Sequence, residues 1–161
     1  MNAAFSADVT LRSEEETAAF GRRLAALLRA GDTLLLKGPI GAGKTHLARA
    51  IIQARLHAAG RHEDAPSPTY TLVQVYSDGE TEIWHADLYR LTSPDDVLEL
   101  GLDEAFGTSI VLVEWPDRLG RDAPGDALEI DLAVDGDARQ AHLSSSSGKW
   151  HRIAPVLEAA S

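Results

Sequence analysis

The segment from Gly38 to Thr45 (GPIGAGKT) constrains the fold of this chain more than any other stretch of its sequence. It follows Thr33 to Lys37 (TLLLK), a short apolar run typical of a strand buried on both faces of a sheet. It precedes a helical pattern that ends at Gly60 and whose apolar stripe consists of Leu47, Ala48, Ile51, Ile52 and Leu56. Strand, glycine turn and helix in this order form half of a βαβ unit, which predicts an α/β fold.

The same segment fits the pattern of glycine, four residues, glycine, lysine and then serine or threonine. Glycines allow backbone N–H groups to approach a phosphate closely, and the following helix directs its positive end at the same point. Lys44 is predicted to reach the β- and γ-phosphates of a nucleotide, and Thr45 to give its hydroxyl to Mg²⁺. The predicted nucleotide-binding residues here are Gly38, Gly41, Ala42, Gly43, Lys44, Thr45 and His46.

The base of the nucleotide is inferred by elimination. Guanine-specific proteins with such loops usually read the base with an Asn-Lys-x-Asp type segment. In this chain the only asparagine is Asn2, and no lysine is followed two residues later by aspartate. Adenine is therefore favoured, and ATP is the expected nucleotide.

Two acidic residues stand at the ends of predicted strands and are candidates to complete a Mg²⁺ site. Glu114 follows four apolar residues in IVLVEW, which makes it the better match to the second Mg²⁺ ligand, directly or through water. Asp87, in IWHADLYR, is expected to face the γ-phosphate and to orient a water or support the metal. Lys44, Asp87 and Glu114 are thus the candidate catalytic residues, although either acid could also be a solvated strand tip.

Several other polar and aromatic residues have two interpretations. Ser67, Thr69 and Thr71, in SPTYT, could sense the γ-phosphate as a switch-like loop or merely cap a proline-containing turn. His85 lies two residues before Asp87 and could hydrogen-bond near the site, but a lone strand histidine is more often structural. Trp115 and Tyr89 are more often packing residues than residues that stack on a base.

The rest of the chain predicts one α/β domain over residues 1–161. Ser13 and Glu16 form a capping-box pair at the start of a helix that runs to about Ala30. The other predicted elements are strands at Tyr70 to Tyr76 and Glu82 to Leu88 joined at 77–79, a short helix at Ser93 to Leu100, a strand at Ser109 to Val113, a strand pair at Leu128 to Val134 and Gln140 to Ser146, and a closing helix at Trp150 to Ala160.

Composition excludes several classes of protein. The formal net charge of −10 argues against independent nucleic-acid binding, which depends on clustered lysine and arginine. The absence of cysteine excludes disulfides and thiol chemistry. The N-terminus lacks the basic start and apolar core of a signal peptide, and no apolar run approaches the ~20 residues of a membrane span. A cytoplasmic protein that does not act at a membrane is the expectation.

Five motifs, GPIGAGKT, SPTYTLVQVY, HADLYRL, ELGLDE and VEWPDR, occur in this order and cover nearly the whole chain up to about Arg139. Taken together, they bear a resemblance to the TsaE (YjeE) family. It implies a P-loop NTPase-like domain of three layers, in which helices flank a central mixed, mainly parallel sheet. It also implies a bacterial ATPase that works with the TsaB–TsaD pair to form N6-threonylcarbamoyladenosine at position 37 of tRNAs reading ANN codons.

The resemblance also assigns roles to individual residues. It implies that Thr45 and Glu114 hold Mg²⁺, that Asp87 is important for hydrolysis, and that Glu14 and Arg139 contact the nucleotide. His46 departs from the small hydroxyl residue usual after the loop threonine, which could alter nucleotide affinity. The tRNA is expected to reach this acidic protein only through its partners.

Two other functions fit the same motifs. A small-molecule kinase would use Asp87 as the base that accepts the proton of a substrate hydroxyl, but Arg118 and Arg121 are the only basic cluster near the predicted site that could serve as a lid. A non-catalytic assembly module would bind ATP in order to form a docking surface.

Overall fold

The structure, a computed structural model, describes residues 4–61, 73–89 and 100–160 of the 161-residue chain. Seven strands occur in these ranges: β1 (Phe5–Leu11), β2 (Thr33–Lys37), β3 (Val73–Ser77), β4 (Glu82–Asp87), β5 (Ile110–Glu114), β6 (Leu128–Asp135) and β7 (Ala138–Ser145). The α-helices described are α1 (Glu14–Ala25), α2 (Lys44–Ala58), α3 (Leu102–Ala105) and α4 (Ala154–Ala160). Two 3₁₀ segments, Pro116–Asp122 and Gly148–Ile153, connect them.

The strands form one mixed sheet in the order β1-β7-β6-β2-β5-β4-β3. Its four central strands, β6, β2, β5 and β4, run parallel, and the outer strands pair antiparallel. Helices cover both faces, which confirms the predicted P-loop NTPase-like α/β fold with a mixed, mainly parallel sheet.

The central strands are buried on both faces because their side chains alternate between two cores. Leu34 and Leu36 of β2 join a large core under α1 and α2, whereas Leu35 joins a second core that includes α3. Ile110 and Leu112 of β5 likewise face the first core, and Val111 and Val113 the second. This is the physical origin of the unbroken apolar runs in the sequence.

The predicted first helix begins where expected and ends earlier. The Oγ of Ser13 accepts the N–H of Glu16 at 3.1 Å, and the Glu16 carboxylate accepts the N–H of Arg12 at 3.0 Å. The helix ends at Ala25 rather than at about Ala30, because the guanidinium of Arg55 donates to the carbonyls of Ala25 and Leu28 at 2.9 and 3.0 Å. A tertiary contact therefore satisfies the carbonyls that the helix end leaves free.

Two further segments differ from the sequence interpretation. Residues Phe5–Leu11 form an edge strand that pairs with β7, although the local sequence pattern predicts no strand there. The predicted closing helix is divided into the 3₁₀ segment Gly148–Ile153 and α4, whose second residue is Pro155. Proline lacks the N–H that would continue a helix from the preceding turn, so it is tolerated only in the first turn of α4.

The remaining predicted elements are found with small shifts. The hairpin of β3 and β4 turns at residues 78–81, and β6 and β7 turn at 136–137. The first residues of the predicted strand at Tyr70 and nearly all of the predicted helix from Ser93 lie outside the described residues. Within the described part of the chain, no helix combines the length and apolar character needed to cross a membrane.

Candidate nucleotide and magnesium site

The carboxyl ends of β2, β5 and β4 meet at one edge of the sheet. In the parallel register Leu36 lies beside Glu114, and Glu114 lies beside Asp87. The glycine loop, residues 38–43 between β2 and α2, therefore comes together with Asp87 and Glu114, although the three are far apart in sequence. In open α/β sheets, the crevice outside the carboxyl ends of the strands is where ligands bind.

The glycine loop requires glycine for its shape. Gly38 has a φ of +138°, and a Cβ added there would lie 2.4 Å from the carbonyl oxygen of Leu132 in β6. Gly41 and Gly43 have φ values of +85° and +101°, which side chains rarely adopt. Because α2 begins at Lys44, directly after the loop, its free N–H groups and positive end lie at this edge.

Lys44 is buried within the loop that precedes it. Its Nζ donates to the carbonyl of Gly38 and, at 3.3 Å, to that of Pro39. Burial lowers the pKa of Lys44 below its ordinary value of 10.5, while the negative charges of Glu114 and Asp87 oppose this shift. The site thus holds a desolvated cation between loop carbonyls and two carboxyl groups, a place where anionic phosphate oxygens would be strong acceptors.

Glu114 connects the loop threonine with a buried histidine. Its Oε1 accepts the hydroxyl of Thr45 at 2.7 Å, and its Oε2 lies 2.7 Å from Nε2 of His85. Glu114 is 2% exposed and His85 is fully buried. The sequence pattern alone favours a structural histidine at position 85, whereas the structure places this ring in direct contact with the candidate site.

Asp87 lies at the end of β4 beside Glu114. Burial raises the pKa of Asp87 above its ordinary value of 3.8; the backbone N–H of Tyr89, which donates to Oδ1 at 3.1 Å, lowers it, and the charge of Glu114 raises it. A buried carboxyl group with a raised pKa next to a second carboxylate is typical of sites that handle protons or cations.

Trp115 has a backbone conformation that marks the site. It has a φ of +59° and is the one non-glycine residue with positive φ in the part of the chain that the structure describes. Such a conformation costs about 1–3 kcal/mol and is concentrated at functional sites. It places the indole ring 3.6 Å from Nζ of Lys44 and 4.9 Å from the ring of Tyr89. Trp115 therefore packs against both Lys44 and Tyr89 at the candidate site.

The residues assigned by family resemblance also lie around the loop. A guanidinium nitrogen of Arg139, in β7, donates to the carbonyl of Gly41 at 3.3 Å. Nε2 of His46, in the first turn of α2, lies 2.9 Å from the backbone carbonyl oxygen of Glu14, the first residue of α1. This contact joins the starts of the two helices beside the glycine loop. Ser67, Thr69 and Thr71 lie outside the described residues.

The glycine loop, the start of α2 and the ends of β4 and β5 line a cavity of about 440 Å³. Its lining residues are Ile40, Gly41, Gly43, Lys44, Thr45, His46, Asp87, Tyr89, Glu114 and Trp115. Larger grooves of about 670 and 650 Å³ run along α1 and α2. Neither groove is lined by Lys44, Asp87 or Glu114, so the chemistry of the side chains, and not volume, identifies the candidate site.

The donor atoms at this edge fit Mg²⁺. A hydroxyl from Thr45 and carboxylates from Glu114 and Asp87 are hard oxygen ligands, which Mg²⁺ prefers. Mg²⁺ is usually held by one or two carboxylates together with substrate phosphates and water. Among the described residues there is no group of three or more His, Cys, Asp or Glu side chains that could hold a metal alone. The arrangement therefore suits a cation that arrives with a phosphate group.

Comparison with known proteins identifies the family. The profile described as "Threonylcarbamoyl adenosine biosynthesis protein TsaE" matches residues 11–141. The chain is 38% identical over 136 residues to "tRNA threonylcarbamoyladenosine biosynthesis protein TsaE" of Rickettsia bellii, an alignment that covers 84% of this chain and 92% of the relative. The protein of the same name in Bacillus subtilis is 36% identical over 124 residues, covering 76% of this chain and 75% of the relative.

Comparison of folds agrees with comparison of sequences. The crystal structure of Bacillus subtilis YdiB superposes with a TM-score of 0.77 and 25% sequence identity, covering 99% of this chain and 98% of that one. The match extends over both the central parallel strands and the outer antiparallel strands, because it spans almost the entire length of each chain. The chain therefore belongs to the TsaE family of threonylcarbamoyl adenosine biosynthesis proteins.

Proposed function

We propose that this chain binds Mg²⁺–ATP at the glycine loop and hydrolyses it during formation of threonylcarbamoyladenosine at position 37 of tRNAs that read ANN codons. The observation that carries the proposal is the 2.7 Å hydrogen bond between Thr45 and Glu114. These two predicted magnesium ligands are 69 residues apart in sequence and meet at the end of the glycine loop. Membership of the TsaE family supports the link to tRNA modification.

The loop and α2 supply most of the binding energy for the polyphosphate. Backbone N–H groups between Gly38 and Thr45 cradle the β-phosphate, since glycine permits their close approach. Lys44 moves its hydrogen bonds from the carbonyls of Gly38 and Pro39 to the β- and γ-phosphate oxygens, which are better acceptors because they are charged. Thr45 and Glu114 hold Mg²⁺, which neutralises charge that develops on the phosphates.

Asp87 completes the site as the residue that orients the attacking water. Its position beside Glu114 places a second carboxyl group at the end of the parallel strands. The hydrogen bond from the N–H of Tyr89 to one oxygen fixes the orientation of the carboxylate. Because burial raises the pKa of Asp87, its carboxylate is a better proton acceptor than that of an exposed aspartate.

We propose the TsaB–TsaD pair as the partner of this chain. The net charge of −10 makes direct binding of tRNA unfavourable, so the tRNA is handled by the partner proteins. An acidic domain of this kind is suited to docking on a basic surface. The isolated chain is then expected to hydrolyse ATP slowly and to be activated by the pair.

The test measures phosphate release from ATP by the purified chain, alone and with TsaB, TsaD and tRNA. The proposal expects stimulation by the partners, and a fall of at least about 100-fold for Glu114→Gln and Asp87→Asn. Glu129→Gln is the matched control, because Glu129 lies on β6, which β2 separates from the strand of Glu114, and forms a surface ion pair with Lys37 at 3.7 Å. Turnover that is unchanged by the partners would contradict the proposal.

Two outcomes would redirect the assignment. Transfer of the γ-phosphoryl group to a metabolite hydroxyl instead of water would identify a small-molecule kinase with Asp87 as the base. Full tRNA modification in cells that carry Glu114→Gln, with ATP affinity retained and hydrolysis lost, would identify an ATP-dependent assembly module. Equilibrium binding of ATP to the same variants separates loss of binding from loss of chemistry.

A further inference from the structure

We infer that His85 is a positioning residue that holds the carboxylate of Glu114 in its magnesium-binding orientation. The inference rests on the proposed Mg²⁺–nucleotide site and assigns a role to a residue that would not itself touch the metal. Its basis is the continuous chain of hydrogen bonds from the Thr45 hydroxyl through Glu114 to the His85 ring.

The two oxygens of Glu114 have different partners. Oε1 accepts the hydroxyl of Thr45 and Oε2 contacts Nε2 of His85, each at 2.7 Å. His85 is fixed in turn by its place in β4, a strand that pairs with β3 on one side and β5 on the other. The ring is fully buried, so its position is set by the core and not by solvent. Rotation of the carboxylate would break both hydrogen bonds.

A glutamate at this position needs such a restraint more than an aspartate would. Glutamate has one more rotatable bond, and the torsion of its terminal carboxylate is broad and weakly restricted. A carboxylate that rotates freely must be ordered when a cation binds, which weakens binding. Because His85 and Thr45 already order both oxygens, the cation meets a carboxylate that is oriented in advance.

The second nitrogen of the His85 ring indicates which tautomer is present. Nδ1 is buried and has no hydrogen-bond partner among the residues that the structure describes. An N–H group left unpaired in the interior is more costly than an unprotonated ring nitrogen. We therefore assign a proton to Nε2, which donates to the carboxylate of Glu114.

A role in packing alone makes a different prediction. If His85 only filled space between the strands, an apolar residue of similar volume would serve as well. If it positions Glu114, the loss should be confined to the step that uses the carboxylate, which is the binding of Mg²⁺ together with nucleotide. Partners that orient metal ligands typically contribute about 10- to 100-fold to metal affinity.

The experiment measures ADP binding by calorimetry, with and without Mg²⁺, for the full chain and its variants. His85→Leu removes the donor and keeps an apolar side chain, whereas His85→Gln retains an N–H near the position of Nε2. The increase in ADP affinity caused by Mg²⁺ should fall about 10-fold or more in His85→Leu and be largely retained in His85→Gln. ADP affinity without Mg²⁺ should change less than about twofold in both, since His85 is not among the residues that line the cavity at the glycine loop. His142→Gln is the control, because that histidine is exposed and pairs with Asp8 on β1.

Three results would overturn the inference. They are an unchanged Mg²⁺ effect in His85→Leu, an equal loss of ADP affinity with and without Mg²⁺, and a loss in His85→Gln as large as in His85→Leu. If His85→Leu does not fold, His85→Asn replaces it, because its amide is too short to reach Glu114. A wild-type chain whose ADP affinity does not respond to Mg²⁺ would instead contradict the magnesium site, and so the proposed function itself.

Discussion

The glycine loop allows one prediction to be worked out from its geometry. Replacing Gly38 with alanine adds a Cβ that would lie 2.4 Å from the Leu132 carbonyl oxygen and 3.2 Å from Cβ of Ala42. Replacing Gly41 adds a Cβ with no atom within 4 Å. Both glycines have positive φ, of +138° and +85°, so both substitutions cause backbone strain, but only the first also causes overlap. Comparing the two variants therefore separates the cost of backbone strain from the cost of steric overlap with β6.

The expected magnitudes follow from these two terms. Holding alanine at positive φ costs about 1–3 kcal/mol, and the lower entropy of the unfolded chain returns about 0.4–1 kcal/mol. Overlap with a packed neighbour adds about 1–3 kcal/mol, which applies to Gly38→Ala alone. The free energy of unfolding of Gly38→Ala should therefore be about 1–3 kcal/mol lower than that of Gly41→Ala. At ~2–4 °C per kcal/mol for a chain of this size, its Tm should be lower by about 2–12 °C.

Urea unfolding followed by far-ultraviolet circular dichroism measures this difference. The slope m should stay the same in both variants and in the wild type, because neither substitution changes the surface exposed on unfolding. Equal midpoints for the two variants, or a lower midpoint for Gly41→Ala, would contradict the prediction. Either result would mean that the loop can move away from β6 without cost.

Three further predictions concern the framework of the site. Ser13→Ala removes the cap of α1 and should lower the free energy of unfolding by about 1 kcal/mol in urea titrations. Gly21→Ala places a Cβ 2.9 Å from Cβ of Ala50 in α2. This overlap should lower the free energy of unfolding by about 1–3 kcal/mol, and the higher helix propensity of alanine should offset up to about 1 kcal/mol of that loss. Adding Ala50→Gly should restore part of the lost thermal stability, measured as the thermal midpoint. Burial raises the pKa of Asp78, but hydrogen bonds from two backbone N–H groups and a guanidinium outweigh burial and hold the pKa below 3.8. The charged carboxylate of Asp78 therefore stabilises the fold above pH ~3.8, and this contribution is lost as the pH falls through the lower pKa of the folded state. The urea midpoint of Asp78→Asn should lie furthest below that of the wild type at pH 7, and the difference should shrink below pH 3.8.

Local patterns predicted those elements whose signals lie within a few residues. The β2 strand and α2 helix were found because both faces of the strand and one stripe of the helix are apolar. The hairpins of β3–β4 and β6–β7 were found from their turn residues. The edge strand β1 was missed because its partner β7 lies more than 120 residues further along the chain. The early end of α1 was missed because the group that satisfies its carbonyls, Arg55, belongs to another helix.

The chemical groups of the candidate site can be predicted from the sequence. A loop of glycines that ends in lysine and threonine, and two acids after apolar strands, predict phosphate and cation ligands because each type of side chain has fixed donors and acceptors. How these groups meet depends on the tertiary structure. Parallel pairing of β2, β5 and β4 sets Thr45 against Glu114 and Glu114 against His85, and the backbone at Trp115 turns its ring onto Lys44. These contacts depend on strand order and register, which arise from long-range pairing and burial that no local pattern encodes.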